Sequence, residues 1–201
     1  MISAILLAAG ESRRMGKPKQ LIPFGSSTIL GETVNNLLNS RVDEVIVVLG
    51  FRAEEMMEKI DPKAVKTVVN PIYRQGMSTS IIAGLNLVAG QARAVMLALG
   101  DQPFINSQAI NRLIEEFCNH DKGIAIPTYQ DKRGHPVIFA IRYRSELFRL
   151  KGDIGGREII DRHPDDVLEV AVNCEGVCID IDTDEHIQLL KRSKLKTKKL
   201  L

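Results

Sequence analysis

Between positions 7 and 20 the chain reads Leu7-Ala8-Ala9-Gly10-Glu11-Ser12-Arg13-Arg14-Met15-Gly16-Lys17-Pro18-Lys19-Gln20. Ala8, Ala9 and Gly10 leave the backbone nearly bare, so a planar base or a phosphate can approach it closely. Arg13, Arg14, Lys17 and Lys19 follow within seven positions. Four cations in that space match the charge of a triphosphate, with arginine suited to bidentate contact and lysine to compact neutralisation. The segment is neither a phosphate-binding GxxxxGKS or GxxxxGKT loop nor a GxGxxG dinucleotide fingerprint. Far along the chain stands Gly100-Asp101-Gln102-Pro103. A carboxylate directly after an apolar run can hold Mg²⁺, with waters and phosphate oxygens completing the octahedron. Asp180 and Asp182 flank Ile181, and in a strand both carboxylates would share one face. Asp182 is read as the second Mg²⁺ ligand. There is no Ser/His/Asp or Cys/His arrangement for nucleophilic catalysis. The chemistry such groups support is therefore positioning and charge stabilisation of a transferring phosphoryl group.

The elements that must position these groups alternate from the first residue. Ile2–Ala8 is a short apolar run ended by glycine, as in a strand buried on both faces. Helical spacing over 28–40 is followed by a strand at 44–50, a helix at 53–60 stopped by Asp61-Pro62, and a strand at 66–70. A helix is predicted from 76 to 88, with Ser78 or Thr79 as its N-cap. A strand over 94–99 runs straight into Asp101, and a helix over 107–118 presents Ile110, Leu113, Ile114 and Phe117 on one face. The second half is mixed, with strands at 123–127, 136–141, 167–172 and 177–181, short helices at 144–150 and 156–162, and a closing helix at 184–191. Such alternation predicts an α/β fold, a mostly parallel sheet with helices on both faces. In such sheets ligands sit beyond the carboxyl ends of the strands, where the strand order switches. The loops after the first and fourth parallel strands carry Lys19 and Asp101. We read 1–190 as one domain, its first half facing the nucleotide and its second half the acceptor, followed by a basic tail at 191–201.

Composition narrows the classes. Of 201 residues, 44% are hydrophobic and 26% charged, as in globular proteins. No stretch approaches the roughly 20 apolar residues of a membrane span, and the apolar opening reads as a strand, not a signal peptide. A cytoplasmic protein is expected. Cys118, Cys174 and Cys178 are odd in number and lack a partner pair at metal-ligand spacing, so they are read as free thiols in or near a strand. Of 27 basic side chains, six lie in the last eleven residues; the body keeps 21 against 25 acidic ones, a net charge of −4. The tail reads as a solvated terminus. With no Trp, 4% aromatic residues and no basic stripe, no nucleic-acid partner is expected.

The stretch LLAAGESRRMGKPKQLIPFGSSTIL closely resembles the LAAGxSxRMGxxKxLLxxxGxxLL signature of sugar- and cofactor-nucleotidyltransferases. ALGDQPFI, GMSTSIIAGL, GHPVIFA, GDIGGREII and DIDTDEHI resemble segments of the molybdenum cofactor cytidylyltransferases, over nearly the whole chain. The resemblance implies a Rossmann-like three-layer sandwich of the nucleotide-diphospho-sugar transferase type. It implies Mg²⁺-dependent transfer of CMP from CTP to molybdopterin with release of pyrophosphate, and a molybdoenzyme apoprotein as the receiver of the product. Carried over by position, Leu7, Ala8, Ala9 and Gly10 hold base and ribose through their backbone. Arg14 and Lys19 bind the triphosphate, Lys19 also stabilising charge at the α-phosphorus, and with Asp101 they form the catalytic set. Asp101 binds the metal, Gly76 and Ser80 contact the nucleotide, and His135 faces the acceptor. Ala9, where guanylyltransferase relatives commonly have glycine, points to cytosine. Asp184 stands where the family usually has proline. Other readings stay open: guanylyl or other NTP transfer to a different phosphorylated acceptor, and a non-catalytic pterin carrier.

Overall fold

The structure, a computed structural model, describes residues 1–12 and 18–181. The chain runs through β1 (Ile2–Ala8), a short hairpin of β2 (Pro23–Phe24) and β3 (Ser27–Thr28), α1 (Ile29–Leu38), β4 (Glu44–Leu49), α2 (Ala53–Met57), β5 (Lys66–Val69), α3 (Met77–Leu85), β6 (Ala94–Leu99) and α4 (Ser107–Asn119). It continues with β7 (Ile124–Tyr129), β8 (Lys132–Arg133), β9 (Val137–Ala140), α5 (Arg144–Leu147), α6 (Arg157–Arg162) and β10 (Val167–Ala171). The main sheet has the order β10-β7-β9-β6-β1-β4-β5, with β8 paired to β7. β1 pairs in parallel with both β4 and β6, and β5 extends the sheet in parallel beyond β4. β9 enters antiparallel between β6 and β7, and β10 returns parallel to β7. The expected mostly parallel sheet is thus observed.

The apolar run of β1 explains its central place. Ala4, Leu6 and Ala8 belong to a core shared with Leu30 and Leu37 of α1 and Leu113 of α4. Ile5 belongs to a separate core with Ile81 and Leu85 of α3 and Phe139 of β9. Successive side chains of a strand point to opposite faces, so one strand feeds two cores and the helices must form two outer layers. Each fully buried Leu or Ile contributes roughly 1.5–3 kcal/mol. Helix starts follow local chemistry: Thr28 Oγ1 accepts from the Gly31 N–H at 3.1 Å, and Asn106 Oδ1 from Ala109 at 2.8 Å, caps worth about 1 kcal/mol each.

Two local expectations are corrected. The predicted strand over 177–181 is a 3₁₀ turn over Glu175–Cys178 followed by extended backbone. The N-cap of α3 is Gly76, not Ser78 or Thr79. The predicted helix over 184–191 and the basic tail lie outside the described residues. The cysteines are free thiols, Cys118 exposed and Cys174 buried. Among the described residues no helix is long and apolar enough to cross a membrane.

The start of β10 is tied to β7 and β9 by one carboxylate. Asp166 Oδ1 accepts from the Gly123 N–H at 2.9 Å, while Oδ2 accepts from Arg142 Nη2 at 2.7 Å and from the Tyr143 hydroxyl. Burial pushes this carboxyl up, but hydrogen bonds from Tyr143, Arg142 and Gly123 outweigh it and hold its pKa at about 2. A depressed folded-state pKa adds stability that is present above the unfolded value, near 4, and lost as pH falls towards 2. Asp166→Asn should lower unfolding stability by about 1–2 kcal/mol at pH 7. In urea titrations the gap from wild type should close between pH 4 and pH 2; a gap constant with pH would contradict this.

Candidate active site

β1 and β6 are neighbours, yet the chain leaves β1 towards β4 and β5 before returning on its other side. That is the switch point at which a parallel sheet opens a crevice beyond its carboxyl ends. A cleft of about 530 Å³ lies there, lined by Ala9, Gly10, Lys19, Ser80, Asp101 and Asp180 among others. Its floor is the backbone after β1. The Gly100 N–H donates to Leu7 O at 2.9 Å and the Phe51 N–H to Ala9 O at 3.1 Å. Ala8 and Ala9 are buried, while Gly10 is exposed and a Cβ there would meet nothing within 4 Å. The backbone is therefore held from below and open above.

The cationic loop is closed at its neck. Ser12 takes a left-handed backbone (φ 51°), uncommon for a residue with a side chain. Its Oγ accepts from the Lys19 N–H at 3.2 Å and donates to Gln20 Oε1 at 3.3 Å. Arg14, predicted to bind the triphosphate, lies within 13–17, outside the described residues. Lys19 is described, and its Nζ pairs with Asp101 Oδ2. Residues 82 positions apart thus meet at the ends of adjacent strands.

Asp101 is mostly buried, its side chain 16% exposed. Burial pushes its carboxyl above the usual range; Lys19 opposes this, and Asp180 adds to it. Asp180 approaches from the segment after the 3₁₀ turn, where the Ile181 N–H donates to Asp101 O at 3.2 Å. The sequence reading singled out the pair 180 and 182 but gave the metal to Asp182. Asp182 lies outside the described residues. The residue found beside Asp101 is Asp180. Two hard carboxylates whose mutual charge Lys19 only partly offsets fit a divalent cation bound through one or two carboxylates.

Ser80 is buried at the cleft wall. Its Oγ accepts from Asn70 Nδ2 at 3.0 Å, which leaves the hydroxyl proton to donate. Gly76, expected to contact the nucleotide, packs against the second half of the chain. At φ +115°, its Cα sits so close to a loop from the second half that a Cβ would lie 2.2 Å from Gly152 C. Only glycine fits there. The expected free N–H groups at the start of α3 are taken: Met77 N donates to Asp153 Oδ1 at 3.2 Å and Ser78 N to Gly152 O at 3.2 Å. Tyr73 and Asp153 also line the cleft. Sequence reading missed both. Asp153 carried a signal, since it sits within GDIGGREII; Tyr73 carried none.

A second cavity of about 450 Å³ adjoins the first, and Met77 lines both. His135 lies in this second cavity with Arg133, Phe139 and Arg157. Burial pushes its imidazole pKa down, with Asp180 and Asp101 opposing. That favours a neutral ring beside the carboxylate pair.

The family model described as the MobA-like NTP transferase domain matches residues 4–167. Among curated proteins, nicotine blue oxidoreductase from Paenarthrobacter nicotinovorans is 28% identical over 94% of this chain and 96% of its own. Molybdenum cofactor cytidylyltransferase from Escherichia coli is 30% identical over 68% of this chain and 69% of its own. A probable molybdenum cofactor guanylyltransferase from Methanosarcina acetivorans is 31% identical over 77% and 69%. Among solved structures, Rv0371c of Mycobacterium tuberculosis in complex with manganese superimposes with a TM-score of 0.81 at 30% identity, covering 94% of this chain and 96% of that one.

Proposed function

The chain belongs to the family of MobA-like NTP transferase domains, and we propose that this nucleotidyltransferase moves CMP from CTP to molybdopterin with release of pyrophosphate. The observation that carries this reading is the meeting of Lys19 and Asp101 at the switch-point cleft, beside a second cavity that shares its Met77 wall. Triphosphate and acceptor would then lie side by side, as an in-line displacement at the α-phosphorus demands. The bare backbone of Leu7–Gly10 accommodates base and ribose, Ser80 donates to the base, and Gly76 sets the start of α3 against the loop at 152–153. Lys19 and Arg14 neutralise the triphosphate and stabilise charge growing on the α-phosphate. His135, kept neutral, offers a donor or acceptor to the acceptor molecule without adding charge. The nucleophile is a phosphate monoester with a second pKa near 6, largely ionised at neutral pH, so the protein needs no general base.

Mg²⁺ is the ion we assign to Asp101, with Asp180 beside it, and it would supply charge neutralisation of the phosphates. The manganese complex of the mycobacterial relative supports a divalent ion in this family. Ala9 supports cytosine, whereas relatives named guanylyltransferase favour a second reading with GTP. Free thiols support a reducing compartment, the cytoplasm.

Pyrophosphate release tests this with Mg²⁺, each of the four NTPs, and molybdenum-loaded molybdopterin present or absent. Release with CTP only, dependent on the pterin, is the expected result. Release with GTP would move the protein to the guanylyl branch. No release with any nucleotide, alongside tight pterin binding, would make it a carrier.

A further inference from the structure

Gln102 follows Asp101 in the chain and is 1% exposed. Its Nε2 donates to Asp180 Oδ1 at 2.6 Å; only the amide nitrogen can donate to a carboxylate, so the orientation of the side chain is settled by chemistry. Its Oε1 has no hydrogen-bond partner among the described residues. A buried amide with one end unmet is costly, and each such group calls for a reason. Methionine would fill the same space without that cost. The gain must lie at the other end of the amide, on Asp180.

Asp180 needs such a hold. Its backbone is fixed on both sides: the Ile179 N–H donates to Gly176 O at 3.3 Å and the Ile181 N–H to Asp101 O at 3.2 Å. The Asp180 side chain is exposed, however. Asp101, close enough for the two charges to act on each other, repels it. A free carboxylate would swing towards water, and a cation would have to recover it at the expense of affinity.

We propose that Gln102 is a positioning residue whose amide holds Asp180 beside Asp101 and so presets the carboxylate pair for a divalent cation. The proposal rests on the reading of Asp101 as a metal ligand. Partners that orient metal-binding carboxylates typically change affinity 10–100-fold when removed.

The test is Mn²⁺ binding to the nucleotide-free protein, followed by the paramagnetic resonance signal of the free ion. Gln102→Met, matched in volume, should bind Mn²⁺ about tenfold more weakly than wild type. Because Gln102 acts through Asp180, the double variant Gln102→Met/Asp180→Asn should bind no more weakly than Asp180→Asn alone. A merely structural glutamine would give additive losses, and that result overturns the proposal. Should Gln102→Met not fold, Gln102→Asn withdraws the amide from Asp180 while keeping its polarity, and the same loss is expected. If wild type binds Mn²⁺, Asp101→Asn does not, and Gln102→Met binds as wild type, the proposal alone falls. If wild type takes up no Mn²⁺, the metal-site reading and the proposal fall together.

Discussion

Asp101→Ala should lower kcat/KM for pyrophosphate release on the order of 10³-fold, about 4 kcal/mol of transition-state stabilisation. The residue stands where β6 hands the chain to the crevice, against Lys19 and within reach of Asp180. Removing it withdraws the ligand we propose for Mg²⁺ and the group against which Lys19 is held. The fold should not suffer in proportion. Burial and the neighbouring Asp180 both oppose the charge of Asp101, so the native state gains little from that carboxylate. An Asp101→Asn protein should melt within a few degrees of wild type, or above it, while staying inactive; residues kept for function at the expense of stability behave this way. Activity within tenfold of wild type in either variant would remove Asp101 from the catalytic set.

Lys19→Met should lower kcat roughly 10²–10³-fold, the usual effect of losing one donor aimed at developing charge. The KM for the nucleotide should rise as well, because on the proposed reading the same ammonium neutralises the triphosphate before reaction. Lys19→Arg should recover little. The side chain is 14% exposed and pinned against Asp101, and a planar guanidinium neither fits the space of a compact ammonium nor presents charge at one point. Full recovery by arginine would mean that charge alone suffices and that the tight pairing in the cleft is incidental. Single-turnover measurements separate the two roles, since a loss confined to binding leaves the chemical step unchanged.

How far the sequence foretold these positions depends on distance along the chain. β1 was legible to the residue, because a short run of apolar residues interrupted only by Ser3 and ended by glycine has few other homes. Lys19 and Asp101 were legible singly, Asp101 just past such a run and Lys19 in the cationic loop that follows another. That they touch followed only once β1 and β6 were known to be adjacent. The stretch at 175–181 misled, since Val177, Ile179 and Ile181 alternate as a strand would. Packing overrode the pattern: a Cβ on Gly176 would lie 2.5 Å from the Phe104 backbone, and Gly134 presses on Val177 O. The chain has to turn there, and the turn delivers Asp180. The cap on α3 by Asp153 spans 76 residues, a separation at which local periodicity carries no signal. Ser12 as the staple of the cationic loop was hidden likewise, because a left-handed serine leaves no mark in composition.

The start of α3, gripped by Gly152 and Asp153, forms a party wall between the two cavities, and Met77 faces both. A molecule that shifts this wall on entering one side reshapes the other, and thermodynamic linkage makes the effect mutual: if nucleotide tightens acceptor binding by some factor, acceptor tightens nucleotide binding by the same factor. The two substrates would then report each other's presence through the backbone at the start of α3 and a thioether, and dissociation constants measured for either one alone would understate how tightly the enzyme holds both at work.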